Sequence, residues 1–261
     1  MGTLVTIDIV NGETGLSEAF EWFRAIEACC TRFEEQSELR RLVSQVGVPV
    51  PVSAILFEAI RFAVTLAEQS GGAFDPVVPE DSALQPRASY RDLYLDDGAR
   101  TITLLRPLSL DLGAVAKGLA VDTAARHLQP SRDFAIDAGG DLYLGGHNAA
   151  GLPWTIGIRH PRLDAKLIAS VRVTNQAVCT SGDYERGSHI RDPRTGDPAI
   201  GVASATVIAP SAMLADAVAT AAFVLGPREG IAFMEQLDLG GLIVSTSLER
   251  FETRGFCQYA A

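Results

Sequence analysis

An aspartate and a threonine stand four residues apart in the alanine-rich stretch Asp216-Ala217-Val218-Ala219-Thr220. On a helix, this spacing places both side chains on one face. Their neighbours are small or apolar, and a carboxylate in such surroundings is costly unless a cation or a donor pairs with it. Carboxylate and hydroxyl oxygens are hard ligands that suit Mg²⁺ bound together with substrate phosphates. The pair therefore indicates a Mg²⁺ site, although a Thr220 bonded back to a carbonyl and an Asp216 facing water would also fit the pattern.

A second candidate is the segment from Leu110 to Gly118, where Asp111 ends a predicted strand and Lys117 follows early in a predicted helix. The free N–H groups of a helix N-terminus attract anions. Lys117 would add a positive charge for a phosphate or hold a carboxylate in place. In the alternative interpretation, Asp111 only caps the helix and Lys117 extends into water.

Two short turns also carry carboxylates beside glycines. The first is Gly72-Ala73-Phe74-Asp75-Pro76, and the second is Asp137-Ala138-Gly139-Gly140-Asp141. Glycine lets a backbone approach a ligand closely, but it also fits an ordinary tight turn. Neither turn alone decides between a binding role and a structural one.

A polar region follows, in which Thr180 to Tyr184 and His189 to Gly196 place hydroxyls, a histidine and charged groups close together. A single loop histidine is more often exposed than catalytic. The chain has no G-x-G-x-x-G fingerprint and no Walker A sequence, so no Rossmann or P-loop nucleotide site is predicted. It also lacks the G-x-S-x-G elbow of many serine hydrolases.

The composition of the 261 residues is that of an ordinary globular protein, with a formal net charge of -10. This charge argues against a nucleic-acid backbone or an anionic membrane as the main partner. The four cysteines form no C-x-x-C pair, which argues against a zinc or iron–sulfur site. No signal peptide, lipid anchor or membrane-spanning run is recognised. We therefore expect a cytoplasmic protein without membrane insertion, or a periplasmic one if an N-terminal segment has been removed.

Hydrophobic periodicity predicts helices that cluster early and strands that come in runs, which favours an α+β fold over a doubly wound one. No repeat or linker divides the chain, so a single domain over residues 1–261 is expected. The predicted helices are Ser17 to Phe33, a short one from Ser37, Ser53 to Glu68, Ala114 to Leu128, one ending at Leu225, and Arg228 to Leu237. The predicted strands are Thr3 to Val10, Thr101 to Leu105, Ser109 to Leu112, Phe134 to Asp137, Trp154 to Ile158, Leu167 to Val178, Ser204 to Ala209 and Gly241 to Ser245.

Taken together, these segments resemble the ApbE family of FAD:protein FMN transferases. The similarity follows the family's order over nearly the whole chain, and each segment alone is weak. The matching pieces are Met1-Gly2-Thr3, Ser37-Glu38-Leu39, Gly72 to Pro76, Leu110 to Gly118 with Asp122, Asp137 to Asp141, Thr180 to Tyr184, His189 to Gly196, and Leu214 to Gly226.

The resemblance implies a Mg²⁺-dependent enzyme that cleaves FAD, attaches FMN to a threonine or serine of an acceptor protein and releases AMP. It implies a T-fold-like α+β architecture of mostly antiparallel sheets packed with helices. Asp216 and Thr220 would bind Mg²⁺ by their side chains, and Ala114 by its backbone carbonyl. The implied FAD contacts are Ala73, Phe74, Asp75, Asp111, Lys117 and His189.

The catalytic residues that the resemblance implies are Asp216 and His189. An imidazole titrates near neutral pH, so His189 is suited to take the proton of the acceptor hydroxyl. Two alternatives stay open at this point. Water could replace the acceptor, which would make the protein a FAD pyrophosphatase, or the chain could bind and deliver flavin without turnover.

Overall fold

The protein is described here from a computed structural model, which covers residues 3–10, 12, 15–78, 87–186 and 190–261. Helices and strands alternate irregularly along the chain. The helices are α1 (Leu16–Cys30), α2 (Glu38–Val43), α3 (Ala54–Gln69), α4 (Gly113–Leu128), α5 (Asp183–Arg186), α6 (Ala212–Leu225) and α7 (Pro227–Gln236). The strands are β1 (Val5–Ile9), β2 (Val50–Pro51), β3 (Leu93–Asp96), β4 (Thr101–Leu104), β5 (Phe134–Ala138), β6 (Leu142–Gly145), β7 (Trp154–Arg159), β8 (Leu167–Val173), β9 (Gln176–Gly182), β10 (Val202–Ala209), β11 (Gly240–Ser245) and β12 (Arg250–Glu252).

One seven-stranded sheet organises the molecule, in the order β1-β5-β6-β9-β10-β11-β12. Every neighbouring pair of strands in it is antiparallel. A three-stranded sheet, β2-β4-β3, and the hairpin β7-β8 are antiparallel as well. The prediction of an α+β fold with mostly antiparallel sheets is therefore confirmed.

Two of the strand predictions are wrong. Ser109 to Leu112 is not a strand, because only Leu110 forms an isolated bridge, to Val77. The alternation that suggested a strand comes from an extended loop that buries Leu108, Leu110 and Leu112. Leu167 to Val178 is two strands, since the chain turns at Asn175, whose φ is 54°. Asparagine is one of the few residues that adopt this left-handed conformation readily.

The central strands are buried on both faces, and alternate residues point to different cores. On β9 and β10, Cys179, Ala205 and Val207 belong to the core beneath the helices. Val178 and Ile208 face the opposite side, where the hairpin β7-β8 and Phe256 cover the sheet. This two-sided burial explains why every residue of β10 is buried, and it makes β9 and β10 a rigid base for the helices above them.

Helices α4 and α6 cross the helix-covered face of the sheet in close contact. The contact is possible because Gly118 has no side chain where α4 meets α6. A Cβ atom at this position would overlap the backbone of Ala212 and Met213. The two helices that carry Lys117 and Asp216 are thereby held side by side.

Among the residues that the structure describes, no helix has the length and apolar character needed to cross a bilayer.

The close contact of α4 and α6 yields a first prediction. Gly118→Ala adds one methyl group against the Met213 backbone, and overpacking of this kind typically costs about 1 to 3 kcal/mol. Urea unfolding should show a lower midpoint for this variant. As a control, Gly98→Ala adds the same methyl group where it meets only an ordinary 3.4 Å contact with Asp96. Equal midpoints for the two variants would contradict the proposed tightness of the crossing.

Candidate functional site

A buried cluster of charges lies where α4, α6 and the turn between β5 and β6 meet. Lys117 forms a close ion pair with Asp141, and its Nζ lies 3.8 Å from Oδ2 of Asp216. Asp141 is 2% exposed and Asp216 is 6% exposed. Burial would lower the pKa of the lysine, but the carboxylates of Asp216 and Asp141 outweigh it and hold this pKa above its ordinary value. The ammonium therefore stays charged at neutral pH.

The cluster corrects two of the sequence-based alternatives. Asp216 is buried and does not face water, and the Lys117 side chain, which is 25% exposed, is held by two carboxylates instead of extending into solvent. The prediction that Lys117 could hold a carboxylate in place is confirmed. Its principal partner, Asp141, was seen in the sequence only as part of a glycine turn.

The turn that carries Asp141 is fixed from two sides. Gly139 and Gly140 both have positive φ, at 67° and 96°, which glycine adopts without strain. The N–H of Gly140 donates to Oδ1 of Asp137 at 2.8 Å. Thr3 packs where a side chain of residue 139 would stand. The segment that precedes β1 thus packs against the turn that presents Asp141 to Lys117.

Asp122 links the helix of Lys117 to the helix of Asp216. Its carboxylate accepts the N–H groups of Ala212 at 2.6 Å and Met213 at 2.9 Å, at the start of α6. Burial raises the pKa of Asp122, and these two backbone donors act in the opposite direction. A carboxylate at this place satisfies N–H groups that a helix N-terminus leaves unbonded. Ser211 caps the same helix by accepting the N–H of Leu214 at 3.3 Å.

Thr220 lies one helical turn beyond Asp216 and close to strand β9. Its hydroxyl donates to the backbone carbonyl of Asp216 at 3.2 Å, as the structural interpretation anticipated. The same hydroxyl lies 3.3 Å from the Ser181 hydroxyl. Ser181, which sequence reasoning did not single out, is 9% exposed and faces α6. Its contact with Thr220 depends on strand register, which the local sequence does not reveal.

The oxygen donors around Asp216 are too few to hold a hard cation alone, but they suit one that is also bound by substrate phosphates. Within the described ranges, no group of three or more histidine, cysteine, aspartate or glutamate side chains is arranged so that it could hold a metal ion by itself. Asp216 offers the carboxylate, and Thr220 and Ser181 offer hydroxyls nearby. Ala114, the second residue of α4, lies at the same helix end as Lys117. Oxygen donors of this number and kind fit Mg²⁺, which typically keeps one or two carboxylates and completes its shell with phosphates and water.

Cys179 lies beneath the cluster and is fully buried. Desolvation raises the pKa of its thiol well above the ordinary value, and the charges of Asp141 and Asp216 act in the same direction. The thiolate is the nucleophilic form of cysteine. Cys179 is therefore a packing residue rather than a nucleophile.

Asp111 occupies an exposed position at the start of α4. Its Oδ1 accepts the N–H of Gly113 at 2.8 Å, and its Oδ2 lies 3.4 Å from Nε of Arg32. The alternative in which Asp111 caps the helix is wrong in detail, because the N-cap of α4 is Leu112 and, of the N–H groups of the helix, Asp111 bonds only to that of the first residue, Gly113. Its predicted contact with FAD stays a prediction.

The turn around Asp75 forms a second polar region. Ala73 and Phe74 are buried, so their side chains serve the core. Asp75 accepts the N–H groups of Val77 at 2.8 Å and Tyr90 at 3.0 Å. Burial raises the pKa of Asp75 to about 6, although these backbone donors oppose the rise.

Beside this turn is a cavity of about 390 Å³ with a basic lining. Arg194, from the loop that precedes β10, lines this cavity together with Arg87 and Arg91. The turn of Asp75 and that loop therefore lie on the same cavity. The full lining is Gly71, Gly72, Asp75, Arg87 to Arg91, and Pro193 to Thr195. His189, the predicted general base, lies outside the described residues. A larger groove of about 600 Å³ between α1, α3 and α4 is mostly apolar and includes none of the clustered charges.

Comparison with known proteins gives one consistent result. The sequence model of the ApbE family matches residues 1–80 and 78–243. The FAD:protein FMN transferase of Treponema pallidum is 34% identical over 85% of this chain and 74% of its own length. The FAD:protein FMN transferase of Vibrio cholerae serotype O1 is 29% identical over 97% of this chain and 84% of its own length.

Solved structures agree with these relatives. The flavin transferase ApbE from Vibrio cholerae superposes with a TM-score of 0.86 at 26% identity, covering 99% of this chain and 96% of that one. The ApbE protein from Thermotoga maritima gives a TM-score of 0.85 at 28% identity, covering 99% and 95%.

The raised pKa of Asp75 predicts a specific pH dependence of stability. The folded chain holds this proton more tightly than the unfolded chain, where the ordinary pKa is 3.8. The wild type should therefore lose stability relative to Asp75→Asn as the pH rises from about 4 through 6. The change is at most about 3 kcal/mol, because one pKa unit corresponds to about 1.4 kcal/mol.

Urea unfolding of the wild type and of Asp75→Asn between pH 4 and 7 measures this difference. Exposed Asp97 provides the control, since Asp97→Asn makes the same chemical change at the surface. If the free energy of unfolding of the wild type, relative to that of Asp75→Asn, stays constant or increases as the pH rises, the assignment is contradicted.

Proposed function

The chain belongs to the ApbE family, and on that premise we propose that it transfers FMN from FAD to a threonine or serine hydroxyl of an acceptor protein. AMP is the second product. The observation that carries the proposal is the convergence of Lys117, Asp141, Asp216 and Thr220 on one site. The relatives that match nearly the whole chain carry the name FAD:protein FMN transferase.

The reaction replaces the phosphoanhydride bond between FMN and AMP with a phosphoester bond to the acceptor hydroxyl. The acceptor oxygen forms a bond to the FMN phosphorus while the anhydride bond to the AMP phosphate breaks. AMP leaves with the bridging oxygen and its electron pair, and the hydroxyl proton passes to a base. Such reactions depend mainly on positioning and on neutralising charge at the phosphates.

The residues of the cluster are suited to these tasks. The Lys117 side chain is 25% exposed, so the attraction of its ammonium for phosphate oxygens is screened less than that of a fully exposed lysine. Asp216, Thr220 and the Ala114 carbonyl would hold Mg²⁺, which when bound supplies Lewis-acid polarisation of phosphate oxygens. Asp141 keeps Lys117 in place, and Asp122 fixes the start of the helix that carries Asp216 and Thr220.

The other FAD contacts are assigned from the family resemblance. Ala73, Phe74 and Asp75 would line the flavin site through their turn, and Asp111 would contact FAD from the start of α4. The cavity beside Asp75 is lined by Arg87, Arg91 and Arg194 although the chain as a whole has a net charge of -10. This local concentration of positive charge supports an anionic ligand in that region. His189 would accept the proton of the acceptor hydroxyl.

One assay separates this function from its alternatives. The protein is incubated with FAD, Mg²⁺ and candidate acceptor proteins, and intact masses are recorded together with AMP. Covalent FMN on the acceptor supports the transferase. Free FMN and AMP without an adduct would indicate a pyrophosphatase, and unchanged FAD would indicate a binding protein.

Removing the proposed metal-binding carboxylate should stop turnover without unfolding the protein. Asp216→Asn keeps the volume and some hydrogen bonding but loses the charge. We expect transfer to fall by more than about a hundredfold, because even groups that merely support a metal ligand are typically worth 10- to 100-fold. Thr220→Val should have a smaller effect in the same direction.

Exposed Asp238 supplies the matched control, and Asp238→Asn should transfer FMN at the parent rate. Circular dichroism verifies that each variant is folded. Full AMP release by Asp216→Asn at ordinary Mg²⁺ concentration would refute the ligand assignment.

His189→Ala tests the proposed base. Loss of a general base typically lowers a rate by about 10² to 10⁴. The variant should still bind FAD and Mg²⁺, transfer FMN slowly, and lack the rise in rate near about pH 6.5 that an imidazole gives. The exposed His147 allows a control, His147→Ala. A parent rate with an unchanged pH profile would remove His189 from the mechanism.

A further inference from the structure

Lys117 is shared unequally between two buried carboxylates. It contacts Asp141 directly, whereas its Nζ is 3.8 Å from the Asp216 oxygen. Counted over side-chain atoms alone, Lys117 is 25% exposed, Asp141 is 2% exposed and Asp216 is 9% exposed. The ammonium is thus anchored by one carboxylate and compensates part of the charge of the other.

This arrangement opposes a divalent cation that arrives alone. Lys117, Asp141 and Asp216 together carry a net charge of about -1. A dication bound at Asp216 would reverse that charge and lie near an ammonium in surroundings that screen poorly. Asp141 holds the Lys117 ammonium near Asp216. The Lys117 side chain therefore cannot rotate into solvent to make room for the cation without breaking its ion pair with Asp141.

A pyrophosphate removes the obstacle. The two negative charges of the FAD pyrophosphate balance the dication and offer Lys117 additional acceptors. Cation and pyrophosphate would then each make the site more favourable for the other, which is positive coupling between two ligands.

We infer that Lys117 serves as an internal counter-ion for Asp216 that makes Mg²⁺ binding depend on the FAD pyrophosphate. The inference rests on the proposed function and adds a dependence to it: the cation binds tightly only when the FAD pyrophosphate occupies the site as well. A lysine that only contacts phosphate would behave differently, because its removal would weaken FAD binding and leave the affinity for Mg²⁺ alone unchanged.

The wild-type protein provides the first measurement. Mg²⁺ is titrated by calorimetry into protein alone, into protein with FAD and into protein with riboflavin, which lacks phosphate. Mg²⁺ should bind at least about tenfold more tightly with FAD, within the 5- to 150-fold range typical of coupled ligands. Riboflavin should give no enhancement. Equal Mg²⁺ affinity with FAD, with riboflavin and without ligand would overturn the inference.

The variant Lys117→Gln provides the second measurement. Without the ammonium, the affinity for Mg²⁺ alone should rise about tenfold or more, and the enhancement by FAD should shrink. Lys166 is the only other lysine of the chain and is exposed, so Lys166→Gln makes the same change in total charge away from the cluster. The control should behave like the wild type.

A double variant guards against a general charge effect. Lys117→Gln with Asp141→Asn leaves the net charge of the cluster unchanged, because Asp141 loses its charge together with Lys117 and the Asp216 carboxylate is the charge that remains. Its affinity for Mg²⁺ alone should still exceed that of the wild type, by a smaller factor than for Lys117→Gln. No rise in either variant would refute the counter-ion role. FMN transfer, scored separately by acceptor mass, shows whether the proposed function itself stands.

Discussion

The burial of three charges in one place is the constraint on which this structure depends. Lys117, Asp141 and Asp216 come from a helix, a hairpin turn and a second helix, and each would be costly to bury without the others. Breaking a buried pair by removing one partner is typically far more damaging than losing a surface pair. The three elements must therefore meet at this point, and the sheet beneath them provides the rigid surface on which they do so.

Other features of the chain follow from that meeting. Gly118 lets α4 and α6 approach until their backbones nearly touch, and Asp122 then reaches the first N–H groups of α6. Gly139 leaves room for Thr3, so the segment that precedes β1 packs against the turn of Asp141. These residues need not touch FAD to matter, because they set the relative positions of the groups that would. This is a structural reason for several of the family's matching segments.

The sequence predicted what depends on local spacing. The pair Asp216 and Thr220, the early lysine of α4 and the α+β class all follow from periodicity and residue type. The pairing of Lys117 with Asp141 and the contact of Thr220 with Ser181 were missed, because both depend on the register of a long-range sheet. Local pattern was misleading at Ser109 to Leu112, where an extended loop alternates between buried and exposed residues as a strand would. The roles of the site residues toward Mg²⁺ and FAD stay predictions, for Asp216, Thr220 and Lys117 as well as for Ala114, Asp111 and His189.

Asp216 and Thr220 are proposed to hold the cation, with Lys117 facing the pyrophosphate beside it. Anomalous diffraction from crystals grown with FAD and Mn²⁺, a scattering substitute for Mg²⁺, locates both ligands. We expect an anomalous peak within coordination distance of the Asp216 carboxylate and the Thr220 hydroxyl, with the pyrophosphate beside the Lys117 ammonium. A peak bound to other residues, or a pyrophosphate remote from Lys117 and Asp216, would refute this assignment.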